Sequence, residues 1–112
     1  QEQVKIMKKA FKKRRDIVVN KLNNIEGLSC EMPGGAFYVF PNINGILNKE
    51  YKNTLINTPK DLSLCLLNEY SIVTVSGESF GSQNNIRLSY ATSEEILNDA
   101  LNKIEILINK MN

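Results

Sequence analysis

The chain has 112 residues, a length that fits one domain built around a single hydrophobic core. Hydrophobic residues make up 42% and charged residues 23%, which excludes a disordered tail and a disulfide-rich scaffold. A net charge of +2 is too small to predict binding to nucleic acid. No apolar run reaches the ~18 residues of a membrane span and no signal peptide is evident, so we expect a cytoplasmic protein.

A long helix is predicted over residues 1–25, with Gly27 suited to the position after its end. Its apolar residues recur at three- and four-residue steps and form one stripe: Val4, Met7, Phe11, Val18, Leu22 and Ile25. The opposite face is basic from Lys5 to Arg15. We interpret this face as solvated, with an acidic partner, a contact with another part of a larger protein, or nucleic acid as the alternatives.

A strand is predicted over residues 36–40, because Pro33-Gly34-Gly35 favours a turn and an aromatic, β-branched run follows it. Residues 42–57 are rich in asparagine and have no regular apolar period. We interpret them as a long excursion, which is either functional or an insertion with one short helix.

A second helix is predicted over residues 59–70, where Thr58 offers a capping hydroxyl, Pro59 takes the first helical position and Asp61 lies in the first turn. Its expected core face consists of Leu62, Cys65, Leu66 and Tyr70. A β-branched strand over 72–75 follows with almost no loop, and a polar loop precedes the next strand.

The last two predicted elements are a strand over residues 86–90 and a helix over 93–111. Thr92 and Glu95 fit a capping box at the start of this helix. Its apolar stripe is regular: Leu97, Ala100, Leu101, Ile104, Leu107, Ile108 and Met111. The order of the elements predicts an α+β fold in which a small, mostly antiparallel sheet of three to four strands packs against helices.

Few residues in this sequence are suited to catalysis. The absence of histidine excludes an imidazole base and a histidine-based metal site. Cys30 and Cys65 lack metal-ligand spacing, and we expect two free, partly buried thiols.

One arginine stands out by its position on a predicted strand. Alternation along the strand places Ile86, Leu88 and Tyr90 on one face, and Arg87 and Ser89 on the other. A guanidinium held on a rigid strand can bind a carboxylate through two parallel hydrogen bonds. The pattern alone leaves two interpretations open, a carboxylate site and an arginine on the solvent face of a sheet.

Three motifs carry a resemblance to a known family. The first helix contains Met7-x3-Phe11-x2-Arg14-Arg15-Asp16, and the Pro33-Gly-Gly-Ala-Phe-Tyr-Val-Phe-Pro41 segment follows. The most specific motif is Gly77-x2-Phe80-Gly81 with Ile86-Arg-Leu-Ser-Tyr-Ala-Thr-Ser93. Over nearly its whole length the chain resembles the fold-type I pyridoxal-phosphate-dependent aminotransferases of the aspartate and aromatic class.

The resemblance implies that residues 1–112 are one domain, the C-terminal small domain cut from a longer, homodimeric enzyme of amino-acid metabolism. The parent would transfer an amino group between an amino acid, aspartate by similarity, and a 2-oxo acid. Arg87 matches the arginine that binds the substrate's α-carboxylate in the family. Phe37 would be an apolar wall of the substrate pocket or a plain core aromatic.

The same resemblance implies that the parent binds pyridoxal 5'-phosphate through a Schiff-base lysine in a preceding large domain. No catalytic, cofactor-binding or metal-binding residue is therefore expected in this chain, and the isolated fragment should hold no cofactor and be inactive. The sequence departs from the family at Ser76, where a proline is common, and at Asn84-Asn85, where a glycine is frequent. These departures affect the shape of the loop before Arg87.

Other functions remain open at this point. A decarboxylase or a carbon–sulfur lyase of the same fold would keep the same carboxylate-binding arginine. A free-standing α+β binding or regulatory module could capture a small carboxylate through Arg87. An anion-binding or adaptor role for the basic helix is a third possibility, and it predicts strongly salt-dependent binding.

Overall fold

The computed structural model describes residues 2–33 and 37–112. Predictions that involve Gln1, Gly34, Gly35 and Ala36 lie outside the described residues. The described chain has three helices and five short strands. The helices are α1 (Glu2–Asn23), α2 (Pro59–Tyr70) and α3 (Glu94–Asn109), and the strands are β1 (Tyr38–Val39), β2 (Lys49–Tyr51), β3 (Thr54–Ile56), β4 (Val75–Ser76) and β5 (Ile86–Ser89).

Strand β5 is the centre of a three-stranded antiparallel sheet in the order β1-β5-β4. In this register Tyr38 lies opposite Ser89 and Val75 lies opposite Arg87. Strands β2 and β3 form a separate antiparallel hairpin. The predicted α+β fold with a small antiparallel sheet is confirmed.

The core lies between the second half of α1, the apolar faces of α2 and α3, and one face of the sheet. The most deeply buried side chains include Val18, Leu22, Ile25, Ile43, Ile46, Ile56, Leu62, Leu66, Leu101, Ile104 and Leu107. On α3 the predicted stripe is buried, except that Ala100 is only partly covered. An ion pair of 2.7 Å between Lys21 and Glu105 joins α1 to α3 at the edge of this core.

The first half of α1 does not enter the core, although its apolar spacing predicts that it should. Val4 and Met7 are 47% and 58% exposed, and Phe11 is partly buried. The molecule measures 52 × 28 × 22 Å along its principal axes, an elongated shape. The apolar stripe is therefore continuous in sequence but buried only in its second half.

Helix α1 ends at Asn23, two residues before the predicted end, and Gly27 lies in the turn that follows. Gly27 has φ of +94°, which a side chain would strain. Its backbone also meets that of Gly45 closely: a Cβ placed on Gly45 would lie 2.6 Å from the Gly27 Cα. Glycine is thus required at position 27 because two backbone segments pass close together there, and not because it caps the helix.

Residues 42–57 form compact structure instead of a long irregular excursion. Asn44–Ile46 is a turn of 310 helix, and β2 and β3 follow as a hairpin. The hairpin turn consists of Lys52 and Asn53, both with positive φ, as a tight two-residue turn between twisted strands requires. Tyr51 and Ile56 are buried, so the hairpin contributes to the core.

The strand predicted over 72–75 is wrong for its first three residues. Helix α2 ends in a left-handed Ser71, and the Ile72 N–H donates to the Leu66 carbonyl oxygen at 3.2 Å. Because Ile72 completes the helix end, strand pairing begins only at Val75. The strand predicted over 86–90 ends one residue earlier, at Ser89.

Helices α2 and α3 both start at side-chain caps. At α2 the Thr58 hydroxyl accepts from the Asp61 N–H, and the Asp61 carboxylate accepts from the Thr58 N–H at 3.1 Å. At α3 the cap is Ser93, whose hydroxyl accepts from the Ile96 N–H. The capping box predicted for Thr92 is therefore wrong by one residue. Among the described residues, no helix is both long enough and apolar enough to cross a bilayer.

Candidate functional site

Arg87 lies in the central strand of the sheet. Ile86, Leu88 and Tyr90 are 3–5% exposed, whereas Arg87 is partly exposed and Ser89 is exposed. The predicted alternation is confirmed, because apolar side chains at every second position enter the core and leave the others on the outer face. The guanidinium therefore projects from a rigid support.

The Arg87 guanidinium stacks on the ring of Tyr38, with its Cζ atom 4.5 Å from the ring centroid. Its Nε atom is buried and has no hydrogen-bond partner. No carboxylate in residues 2–33 or 37–112 forms an ion pair with Arg87. The structure thus holds a positive, planar donor group that is partly desolvated and lacks an anionic partner.

A further aromatic side chain lies on the same face and contacts a second aromatic ring. The Ile86 N–H donates to the Pro41 carbonyl oxygen at 3.2 Å, so the register of β1 with β5 continues and sets Phe40 opposite Arg87. Phe40 packs edge-on against Phe80, with ring centroids 5.4 Å apart. Both rings remain 40–45% exposed. Arg87 is therefore flanked by an exposed apolar surface.

Phe37, the second predicted site residue, lies toward α1. Its ring centroid is 4.5 Å from that of Phe11 and 6.4 Å from that of Tyr90. The side chain is 47% exposed, more than a plain core aromatic would be. The aromatic ring that contacts Arg87 belongs to Tyr38, the next residue along the chain.

The sequence did not identify Tyr38 and Phe40 as neighbours of Arg87, nor Phe80 as the ring that packs on Phe40. The strand run that contains Tyr38 and Phe40 was visible, but its register against the strand of Arg87 was not. The antiparallel register of β1 with β5 places both rings on the face of Arg87. This register depends on tertiary packing and cannot be read from the local sequence.

A second arginine has a similar environment on α1. The Arg14 Cζ lies 4.5 Å from the Phe11 ring centroid, and its Nε is also buried without a hydrogen-bond partner. Arg15, by contrast, pairs with Asp16 at 3.4 Å. The lysines in the first half of α1 are exposed, in accord with a solvated basic face: Lys5, Lys8, Lys9, Lys12 and Lys13.

The two cysteines are free, as expected. Burial raises the pKa of the Cys30 thiol, and the nearby Glu31 carboxylate raises it further. Burial also raises the pKa of the Cys65 thiol, with Glu69 adding to the effect. Neither thiol is thus activated as a nucleophile, and the described residues contain no cluster of three or more potential metal ligands.

The family model for class I and II aminotransferases matches residues 1–104. The chain belongs to this family. A probable aspartate/prephenate aminotransferase of Rhizobium leguminosarum bv. phaseoli is 42% identical over 99 residues, which cover 88% of this chain and 25% of that protein. An aspartate aminotransferase of Pyrococcus horikoshii is 42% identical over 104 residues, covering 91% of this chain and 24% of the relative.

Solved aminotransferase structures share the fold. The aspartate aminotransferase of Rhizobium meliloti matches with a TM-score of 0.95 and 39% identity, over 100% of this chain and 28% of that one. The aromatic aminotransferase of Pyrococcus horikoshii matches with a TM-score of 0.82 and 33% identity, over 96% and 27%. This aminotransferase chain spans about a quarter of the length of the relatives that it matches.

Proposed function

We propose that this chain is the C-terminal small domain of a pyridoxal-phosphate-dependent aminotransferase and that Arg87 binds the α-carboxylate of the substrate. The observation that carries the proposal is the unpaired Arg87 guanidinium stacked on Tyr38. A partly buried cation without an anion is costly unless a ligand supplies one. A carboxylate fits, because it can accept two parallel hydrogen bonds from the edge of the guanidinium.

Arg87 would act by orienting the substrate. A carboxylate fixed by two hydrogen bonds to a strand residue leaves the attached Cα little freedom to rotate. The bond that must break at Cα is then held in one direction, and such positioning lowers the barrier substantially. Ser89 shares the face with Arg87 and is exposed, so the approach to the guanidinium is not blocked on that side.

Pyridoxal 5'-phosphate, when bound, supplies the electron sink for moving the amino group between an amino acid and a 2-oxo acid. No described lysine is buried. The lysines do not fit the sequestered amine to which this cofactor attaches, so we assign that role to a preceding large domain of a longer polypeptide. The fragment alone is then expected to bind no cofactor and to be inactive.

The exposed apolar surfaces support this domain arrangement. The first half of α1 exposes Val4 and Met7, and Phe37 and Phe40 are about half exposed. When this many apolar side chains are exposed, a partner or a neighbouring domain normally covers them. We infer that the large domain covers the α1 stripe and that a substrate pocket lies between Arg87 and this domain.

Further features of the parent are proposed from its relatives. The names of two relatives, aspartate/prephenate aminotransferase and aspartate aminotransferase, support the proposal that the amino donor is aspartate. We propose a homodimeric enzyme in the cytoplasm, acting on amino acids and 2-oxo acids without nucleic-acid or membrane partners. Phe37 is proposed as an apolar wall at the mouth of the pocket, held there by Phe11.

The test uses the full-length enzyme. Arg87→Ala should lower kcat/KM for transamination by about two to four orders of magnitude, while the absorbance of the bound cofactor stays unchanged. Lys103→Ala removes one positive charge from an ion pair on the exposed side of α3 and serves as the control. Near-normal activity of Arg87→Ala would overturn the assignment.

Titration of the isolated chain separates this proposal from a free-standing carboxylate-binding module. A module should bind amino acids or 2-oxo acids at physiological concentrations, with Arg87→Ala abolishing the binding. One domain of a two-domain site should bind them only weakly. Saturation of the isolated chain at micromolar concentration would favour the module.

A further inference from the structure

We propose that Tyr38 is a positioning residue, which holds the Arg87 guanidinium in the orientation that binds carboxylate. The inference rests on the proposed function of Arg87. It adds a residue whose ring, rather than its hydroxyl, is required. The carboxylate would contact Arg87, and Tyr38 would act only through Arg87.

The sheet register brings the two side chains together. Tyr38 lies directly opposite Ser89, and Arg87 is two residues before Ser89 on the same strand. Tyr38 and Arg87 are therefore diagonal neighbours on one face, a separation that aromatic and long side chains can bridge. The distance of 4.5 Å from Cζ to the ring centroid is within the range of a cation–π contact.

Tyr38 can hold the guanidinium without competing for its ligand. A cation–π contact uses the flat face of the guanidinium, whereas a carboxylate binds to N–H groups that point outward in its plane. The ring can cover one face while the terminal N–H groups stay free to donate. Arg87 has no ion pair with the described residues that could orient it otherwise.

The contact should also reduce the freedom that Arg87 loses when substrate binds. A free arginine side chain populates many rotamers, and binding a carboxylate selects few of them. Val75 lies opposite Arg87 on the other side and offers neither charge nor an aromatic face. Phe40, which lies opposite Arg87 just beyond β1, packs its ring against Phe80. Tyr38 is the ring on which the guanidinium stacks, and it can fix the guanidinium plane before substrate arrives.

The experiment is a double-mutant cycle in the full-length enzyme. Tyr38→Leu should lower kcat/KM for amino-acid substrates by about 3- to 30-fold, mainly through KM, the range expected from losing a cation–π contact. Tyr38→Phe keeps the ring and should stay within about twofold of the parent. In the Arg87→Ala background, Tyr38→Leu should cause almost no additional loss.

A variant of nearly the same shape separates loss of the cation–π contact from misfolding. Trifluorophenylalanine at position 38 keeps the shape of Phe but has a weaker ring quadrupole, so it should bind substrate severalfold less tightly than Tyr38→Phe. Equal kinetics for these two variants would overturn the proposal. An equal loss from Tyr38→Leu with and without Arg87 would also overturn it, because that result indicates a structural role.

A different set of activities is expected if Arg87 does not bind the carboxylate. Normal activity of Arg87→Ala alone would contradict carboxylate binding by Arg87, whatever the Tyr38 variants do. A large loss from Arg87→Ala, together with no effect of Tyr38→Leu, would leave Arg87 in its role and reject Tyr38. The cycle therefore tests the two claims separately.

Discussion

The rings of Phe11 and Phe37 pack with their centroids 4.5 Å apart and join helix α1 to the segment that enters strand β1. Arg14 stacks on Phe11 from the helix, and Tyr90 meets Phe37 from the sheet. The aromatic contacts thus connect α1 to the strand that carries Tyr38. Motion of α1 relative to the sheet would have to break them.

Replacing Phe11 by Leu should lower the free energy of unfolding of this chain by about 1 kcal/mol, because an aromatic pair contributes ~0.5–1.5 kcal/mol beyond its buried area. Urea denaturation followed by circular dichroism measures the change. Val4→Ala alters an exposed residue of the same helix stripe and should change stability by less than ~0.5 kcal/mol. Equal effects of the two substitutions would show that the Phe11–Phe37 contact contributes nothing specific.

The N-terminus of α3 allows a matched test of helix capping. The Ser93 hydroxyl accepts from the Ile96 N–H at 3.2 Å, so Ser93→Ala should destabilise the chain by ~0.5–2 kcal/mol. Thr92→Ala, one residue earlier, should have a small effect because Thr92 is not the cap. A larger loss from Thr92→Ala in thermal or urea unfolding would instead support the capping box predicted from the sequence.

Thiol reactivity gives a pH-dependent prediction. Burial raises the pKa of both Cys30 and Cys65, so the folded chain keeps these protons to higher pH than the unfolded chain does. The thiol contribution to stability is complete below the unfolded pKa and is lost as pH rises through the interval up to the folded pKa.

Alkylation of the single-cysteine variants Cys30→Ser and Cys65→Ser by iodoacetamide measures this shift. The rate should increase with pH around a midpoint above that of the same thiol in denaturant. A native midpoint at or below the denatured one would contradict the effect of burial. Each variant serves as the control for the other, since Cys30 is the more buried of the two.

The parts of the fold that follow a regular period could be predicted from the sequence. The apolar stripe of α3 and the alternation around Arg87 depend only on local geometry, and both are found in the structure. The hairpin of β2 and β3 was missed because its turn uses Lys52 and Asn53 instead of a glycine pair. The exposed half of α1 was missed because periodicity does not show where a helix leaves the core.

The candidate site was only half predictable for a related reason. Alternation shows that Arg87 faces away from the core, but it does not show what lies beside the guanidinium. Tyr38 is 49 positions earlier in the chain, and only the pairing of β1 with β5 brings it next to Arg87. The unpaired state of the Arg87 Nε likewise depends on contacts that no local pattern encodes.

Binding of the α-carboxylate by Arg87 can be measured by comparing two substrates in the full-length enzyme. One is an amino acid and the other is the corresponding amine without its carboxylate, and single-turnover rates are measured for the parent and for Arg87→Ala. If Arg87 binds the carboxylate, Arg87→Ala should slow the reaction of the amino acid by orders of magnitude and leave the slow reaction of the amine nearly unchanged. Equal slowing of both substrates would contradict carboxylate binding by Arg87.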